Sequence, residues 1–269
     1  MPYVNVNDIK IYYEIHGPEN GKPLVLIEGI WQDSWMWFRQ IPEFKKQFKC
    51  IVFDNRGVGR SGKPDYPYTI AMMTEDIYLL LKSLNIEKAH ILGVSFGGFL
   101  AQQFAISYPD VTESLILVTT HFGGKNQIPI SNEALALMTA VPTETISQKQ
   151  ATEMRLKVGH SQSFLKNHRD VIDQTLRWRE IHPPTDSSRM NQFRAALEVD
   201  LEHDLDKIKT PTLIIQGTED QIVNPQNAEL LKSKIQGSKV QYIKDAPHWV
   251  IIEKYEEFNK AVLDFLSAH

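Results

Sequence analysis

Four short apolar runs constrain this chain more than anything else in it. Leu24–Ile27, Cys50–Phe53, Ala89–Val94 and Ser114–Val118 lack the apolar–polar alternation of a strand with one wet face. Runs of this kind suit strands covered on both faces, as in a parallel sheet. Between them, apolar residues recur at helical spacing. Ile77, Leu80, Leu81 and Leu84 form one such stripe, and Leu100, Phe104 and Ala105 another, with Pro109 as a stop. This alternation predicts an α/β fold: a mostly parallel open sheet with helices on both faces. Tyr3–Ile15 reads as two short strands turning at Asn7-Asp8.

From about Gly124 to Glu202 the strand pattern stops. Ser131–Ala140, Ile146–Val158, Ser163–Arg179 and Asp186–Val199 read as helices, separated by turn signals at Pro142, Gly159 and Pro183-Pro184. The sheet pattern resumes with Thr212–Ile215 and Val240–Ile243. A helix patterned by Tyr255, Phe258, Val262 and Phe265 closes the chain. The expected organisation is therefore a core of residues 1–123 and 203–269, interrupted by an all-helical insertion, 124–202.

Composition removes several function classes. With 29 basic and 33 acidic residues the formal net charge is -4, which gives no electrostatic reason to expect a nucleic acid or an anionic membrane as partner. One cysteine, Cys50, excludes an internal disulfide and the cysteine clusters of zinc sites. Its apolar surroundings predict an inert core thiol. The charged, alternating N-terminus is unlike a secretory leader, and the apolar runs are far too short to span a bilayer. The expectation is a cytoplasmic protein.

The strongest chemical signal is Gly93-Val94-Ser95-Phe96-Gly97, between a buried strand and a helix. A serine on that sharp turn is lifted above the sheet. Bulkier side chains two residues either side would meet neighbouring backbone, and the amides opening the next helix face any developing negative charge. A serine hydroxyl also needs a base. Of nine histidines, His248 is best placed, in Asp245-Ala246-Pro247-His248-Trp249 after a strand and before the last helix. Asp220 follows Leu213–Ile215 and is the candidate to orient it, with Glu219 as the alternative. His121, at the end of Ser114–Thr119, is a candidate to line the site. His90 sits at a strand start, and the remaining histidines fall in loops or the insertion.

With these residues in place the chain resembles the α/β-hydrolases, in particular the small esterase, 3-oxoadipate enol-lactonase-like and haloperoxidase-like group, over essentially its whole length. The order Ser95, Asp220, His248, the stretch Asp54-Asn55-Arg56-Gly57-Val58-Gly59-Arg60-Ser61 and the insertion all carry the resemblance. It implies the α/β-hydrolase fold with a helical cap, Ser95 as nucleophile, His248 as base and Asp220 as its orienter. It also implies an oxyanion hole made by the amides of Ile30 and Phe96. Relatives often have His-Gly where this chain has Glu28-Gly29, so Glu28 must turn away, be neutral or find a cation. The expectation is that it pairs with Arg56 or with amides of the Asn55–Ser61 loop. Dehalogenation is disfavoured, because relatives with that activity carry Asp where Ser95 stands.

Gly57-Val58-Gly59-Arg60-Ser61-Gly62 matches a dinucleotide fingerprint, but Pro64 and Pro67 follow it and no helix pattern begins there. No metal or other cofactor is expected. Trp31, Met138, Trp178 and Trp249, with His121, are the candidate pocket residues. The function expected is hydrolysis of a small, largely apolar carboxylic ester or lactone through an acyl-enzyme. The alternatives are carbon–carbon bond hydrolysis or perhydrolysis on the same triad, or a hydrolase-like small-molecule sensor.

Overall fold

The computed structural model describes residues 2–141 and 143–269; Pro142, read above as a turn signal, lies outside them. Strands β1 (Tyr3–Val6) and β2 (Ile9–His16) form an antiparallel hairpin turning at Asn7, whose φ is 48°. The other strands are β3 (Lys22–Ile27), β4 (Phe48–Phe53), β5 (Ala89–Val94), β6 (Thr112–Val118), β7 (Thr212–Gly217) and β8 (Lys239–Ile243). All eight join one sheet in the order β1-β2-β4-β3-β5-β6-β7-β8. β2 meets β4 antiparallel, and every pairing from β4 to β8 is parallel.

The missing alternation in the apolar runs now has its reason. Leu24 and Leu26 face one core and Val25 and Ile27 the other, so a strand feeding two cores is apolar at every position. Helices α2 (Ile70–Ser83) and α3 (Phe96–Ser107) cover the face of Val25 and Ile27. Against the face of Leu24 and Leu26 lie α1 (Ile41–Phe44) and, at the end of the chain, α10 (Val250–Glu253) and α11 (Tyr255–Ser267).

Between β6 and β7 the chain forms α4 (Asn132–Met138), α5 (Gln148–Gly159), α6 (Gln162–Asn167), α7 (Arg169–Ile181) and α8 (Asp186–Glu198). α9 (Asn227–Lys234) follows β7. Ser131, Ser147, Ser161 and Thr185 cap α4, α5, α6 and α8 by accepting a backbone N–H from the first turn. Such a cap contributes about 1 kcal/mol. The single helix expected over Ser163–Arg179 is two helices. It begins earlier, where Ser161 caps it, and breaks at His168, whose backbone (φ -126°, ψ 45°) is not helical. No glycine or proline marks that break, so the apolar spacing reads straight through it. The insertion leaves and rejoins the sheet side by side: Gly124 N–H donates to Val199 C=O (2.9 Å) and Leu201 N–H to Phe122 C=O (2.9 Å).

The glycine-rich stretch after β4 opens no helix, since α2 begins only at Ile70. Gly57 N–H donates to Gly62 C=O (2.9 Å), and at Gly59 (φ 55°) a Cβ would strike the Asp54 carboxylate. These glycines fold a turn around Asp54 and leave no phosphate cradle at a helix N-terminus.

Candidate active site

Ser95 sits between β5 and α3 with φ 54° and ψ -116°, a strained conformation for a residue with a Cβ. Three hydrogen bonds hold it there. Ser95 N–H donates to Val118 C=O (2.8 Å), and its own C=O accepts from Gly98 N–H (2.8 Å) and from Thr120 Oγ1 (2.8 Å). The flanking glycines are required by contact: a Cβ on Gly93 would run into the Gly97 carbonyl, and one on Gly97 into the Ile27 carbonyl. α3 starts at Phe96, so the Phe96 N–H has no acceptor within its helix.

β7 and β8 bring the other two residues to the same edge of the sheet. His248 Nδ1 lies 2.9 Å from Asp220 Oδ2, and both side chains are buried. Asp220 also accepts from Ile222 N–H (2.9 Å), Val223 N–H (2.9 Å) and Gln216 Nε2 (3.1 Å). A carboxylate so surrounded accepts only. It therefore fixes the proton on His248 Nδ1 and leaves Nε2 as the basic nitrogen. Glu219, the alternative acid, is exposed and contributes its backbone N–H to Ala246 C=O.

Ser95 and His248 line one cavity, together with Gly29, Ile30, Trp31, Met138 and Trp249. A second cavity meets Ser95 from the other side and is lined by Ile30, Phe96, Phe99, His121, Met138 and Phe193 among others. Burial, and then the charge of His248, push the His121 ring down to about 4, so it is neutral at ordinary pH. Gly123 N–H donates to His121 Nδ1 (3.0 Å). Of the five candidate pocket residues, Trp31, His121, Met138 and Trp249 border Ser95's cavities. Trp178 does not. It packs on Trp35 and Phe38 and borders a separate groove, because adjacent helical residues project about 100° apart and its neighbour Arg179 takes the inward position.

The loop after β3 is tied down from the insertion. Trp31 has a left-handed backbone (φ 61°). Its N–H donates to Gln192 Oε1 (3.0 Å), and its indole Nε1 to Arg189 C=O (3.1 Å). Gln192 Nε2 in turn donates to Arg56 C=O (2.8 Å). Gln192 was absent from the sequence reading, since an amide on a polar helix gives no signal of its own.

Glu28 is fully buried and accepts from Asn55 N–H (2.6 Å), one of the two partners expected for it. The other, Arg56, is taken by Asp76, to which Nε and Nη2 donate at 2.8 Å each. Burial, reinforced by the charge of Asp54, holds the Glu28 carboxyl well above the usual carboxylate range. Glu28 is thus held by the Asn55 amide, in surroundings that favour its protonated form.

The histidine set aside with the insertion, His160, is buried. Its Nδ1 lies 2.9 Å from Glu253 Oε1, and its ring stacks between Phe164 and Trp249. The Cys50 thiol is buried and pushed up to about 12 by burial. Among the described residues no group of three or more His, Cys, Asp or Glu is arranged to hold a metal ion. None of their helices is long and apolar enough to cross a membrane.

Residues 22–255 match the family model described as the alpha/beta hydrolase fold. A putative carbamate hydrolase of Caulobacter sp. (strain K31) is 25% identical over 260 residues, covering 96% of each chain. The 3-oxoadipate enol-lactonase 1 of Acinetobacter baylyi is 27% identical over 262 residues, covering 95% of this chain and 92% of its own. Among solved structures, the enol-lactonase from Burkholderia xenovorans LB400 superposes with a TM-score of 0.84 at 28% identity, covering 99% of this chain and 100% of its own.

Proposed function

Because the chain belongs to the alpha/beta hydrolase fold family, we propose that this hydrolase is a serine enzyme that cleaves a small carboxylic ester or lactone through an acyl-enzyme. The observation that carries the reading is Ser95 on its strained turn, sharing a cavity with a His248 whose Nδ1 is held by Asp220. His248 Nε2 takes the Ser95 proton as Oγ attacks the carbonyl carbon. The Ile30 and Phe96 amides hold the tetrahedral oxyanion. His248 then protonates the leaving alcohol, and a water activated by the same nitrogen releases the acid. No step calls for a metal or a nucleotide.

Residues 124–202 act as a cap over a core of 1–123 and 203–269, and the paired neck at Phe122–Gly124 and Val199–Leu201 supports that division. The named lactonases among the relatives favour esters and lactones as the substrate class. The largely apolar substrate expected above is not carried over, because Arg155 and Arg179 line the cavity of Ser95. Short p-nitrophenyl esters test the proposal: the wild-type chain hydrolyses them and Ser95→Ala does not. Equal turnover by both would end it.

A further inference from the structure

Ser95 stands between two cavities of opposite character. The His121 side has a volume of about 380 Å³ and no charged residue in its lining; Phe99, Leu135, Phe193, Leu197 and Val199 make up much of its wall. The other, with His248 and Trp249, is narrow at about 90 Å³ and contains Arg155 and Arg179 but no carboxylate. It continues outward into a third space that shares Trp31, Gln32, Arg155 and Arg179 with it and adds Arg189, Asp33 and Glu180.

These arginines are held without acids. The arginines that form ion pairs among the described residues are Arg56, Arg60 and Arg169. Arg179 lies over the rings of Trp35 (5.5 Å) and Trp249 (5.3 Å), and Arg189 over Trp31 (4.8 Å). Arg179 Nε is enclosed and has no hydrogen-bond partner. Arg155 donates to the Ala140 carbonyl and to Thr152 Oγ1 (3.0 Å), both uncharged. A guanidinium stacked on an indole keeps its in-plane N–H groups free. Burial, with Arg155 and Arg189 adding to it, pushes Arg179 down to about 10, which leaves it charged at neutral pH. Asp33 and Glu180 border the outer space, and Asp33 partly offsets the charge of Arg179, but neither forms an ion pair with these arginines. The inner cavity of Ser95 holds Arg155 and Arg179 with no acid, and an anion there relieves their mutual repulsion.

We propose that Arg155, Arg179 and Arg189 form a carboxylate-binding subsite. The substrate is then an ester or lactone with a bulkier apolar arm on the His121 side of Ser95 and a slim, carboxylate-ended arm on the arginine side. This assignment rests on the serine-hydrolase reading above. Carboxylate fits better than a simple point anion because guanidinium and carboxylate are matched planar forks. The narrow cavity delivers a chain-like arm to that fork, and the polarity of the two walls sets the direction in which the substrate lies across Ser95.

The test uses two pairs of esters. Each pair differs only in ending in a carboxylate or the matching carboxamide, on the acyl arm in one pair and on the alcohol arm in the other. In at least one pair the carboxylate form has a kcat/KM about 10-fold or more higher, mostly through KM, as expected of a charge-assisted hydrogen bond. Arg179→Met, or Arg155→Met should the first fail to fold, brings that ratio to within about twofold of one. No advantage for the carboxylate in either pair overturns the subsite, and so does a ratio that survives both substitutions. Binding without turnover separates this from the serine reading. Glutarate should raise the Tm of the Ser95→Ala protein, and glutaramide should not. Equal effects of the two overturn the subsite even if Ser95 proves to be the nucleophile. A glutarate-specific shift supports the subsite even if no ester is turned over.

Discussion

Arg56 and Arg179 are the same residue type treated in opposite ways. Arg56, at 1% exposure, gives Nε and Nη2 to Asp76 and Nη1 to Asp8 and to the Tyr66 hydroxyl. Its acidic neighbours push its pKa further up despite burial. Arg179 is half-buried, stacked on two indoles, has an Nε with no partner, and is pushed down. The first belongs to the loops at the sheet edge, where charges close on each other, as Arg60 does on Asp54. The second belongs to the helical insertion, where positive charge is left open. A closed network holds backbone in place, whereas the open one is the proposed carboxylate subsite. The proposals thus divide chemistry and recognition between two parts of the chain.

The largest effect tests the chemical side of that division. Ser95→Ala and His248→Ala should each lower kcat/KM at least about 1,000-fold, for carboxylate and carboxamide esters alike. Groups acting as one unit are not additive, so the double variant should be little worse than either single one. A single variant that keeps more than about a tenth of wild-type kcat removes its residue from the mechanism.

Next comes stability, where the two arginines should part. Arg56→Met leaves Asp76 buried and uncompensated and should cost about 3–5 kcal/mol by urea denaturation. Arg179→Met removes a charge that has no ion-pair partner while keeping the apolar stem, and should change stability by no more than about 0.5 kcal/mol, or raise it. Equal losses would erase the distinction between closed and open networks.

Gln192 joins the two regions, with one amide atom on the Trp31 N–H and the other on the Arg56 carbonyl. Gln192→Leu leaves both backbone groups short of a partner, at about 1–3 kcal/mol. It also frees the turn beside Ile30, whose amide is a proposed oxyanion donor. The expected signature is a fall in kcat of about 10-fold with KM little changed, as for a group acting through the transition state. A change confined to KM would instead make Gln192 a substrate contact.

The two regions were also unequally legible in the sequence. β3, β4, β5 and β6 announced themselves because a strand covered on both faces must be apolar at every position. Gly93, Ser95 and Gly97 were legible because backbone crowding leaves few alternatives. Asp220 and His248 followed from strand ends. In the insertion, apolar spacing located helices but not the break at His168, which carries no glycine or proline. Nothing in the sequence distinguishes Arg155, Arg179 and Arg189 from the charged residues of a solvated helix face. Which side of α7 points inward depends on packing against Trp35 and Trp249, contacts between residues far apart in the chain. Trp178 is a pocket candidate in the sequence because aromatic character is visible there; that Arg179 takes the inward position is not, because orientation is not written in the sequence.

The smallest predicted effect concerns Glu28, the sheet-edge acid whose carboxyl is raised and unpaired where its neighbours are paired. Burial, with Asp54 adding to it, raises the Glu28 carboxyl, against which the Asn55 N–H at 2.6 Å is a weaker opposing influence; Oε2 is enclosed without a partner. The folded chain therefore keeps a proton that the unfolded chain releases above about pH 4.5. The stability this contributes is fully present below that pH and is lost as pH rises toward the folded value, at up to about 1.4 kcal/mol per pH unit. Glu28→Gln keeps the acceptor for Asn55 and cannot titrate. Its stability relative to wild type should therefore climb by at least about 1 kcal/mol between about pH 5 and 7, read from urea denaturation at each pH. Asp33, pushed up to about 6 by burial and by Asp54, titrates in both proteins and largely cancels in the difference. A Glu28 that was ionised and paired would give the opposite slope, with Glu28→Gln losing ground as pH rises, and would put a charge back beside the Gly29–Ile30 turn.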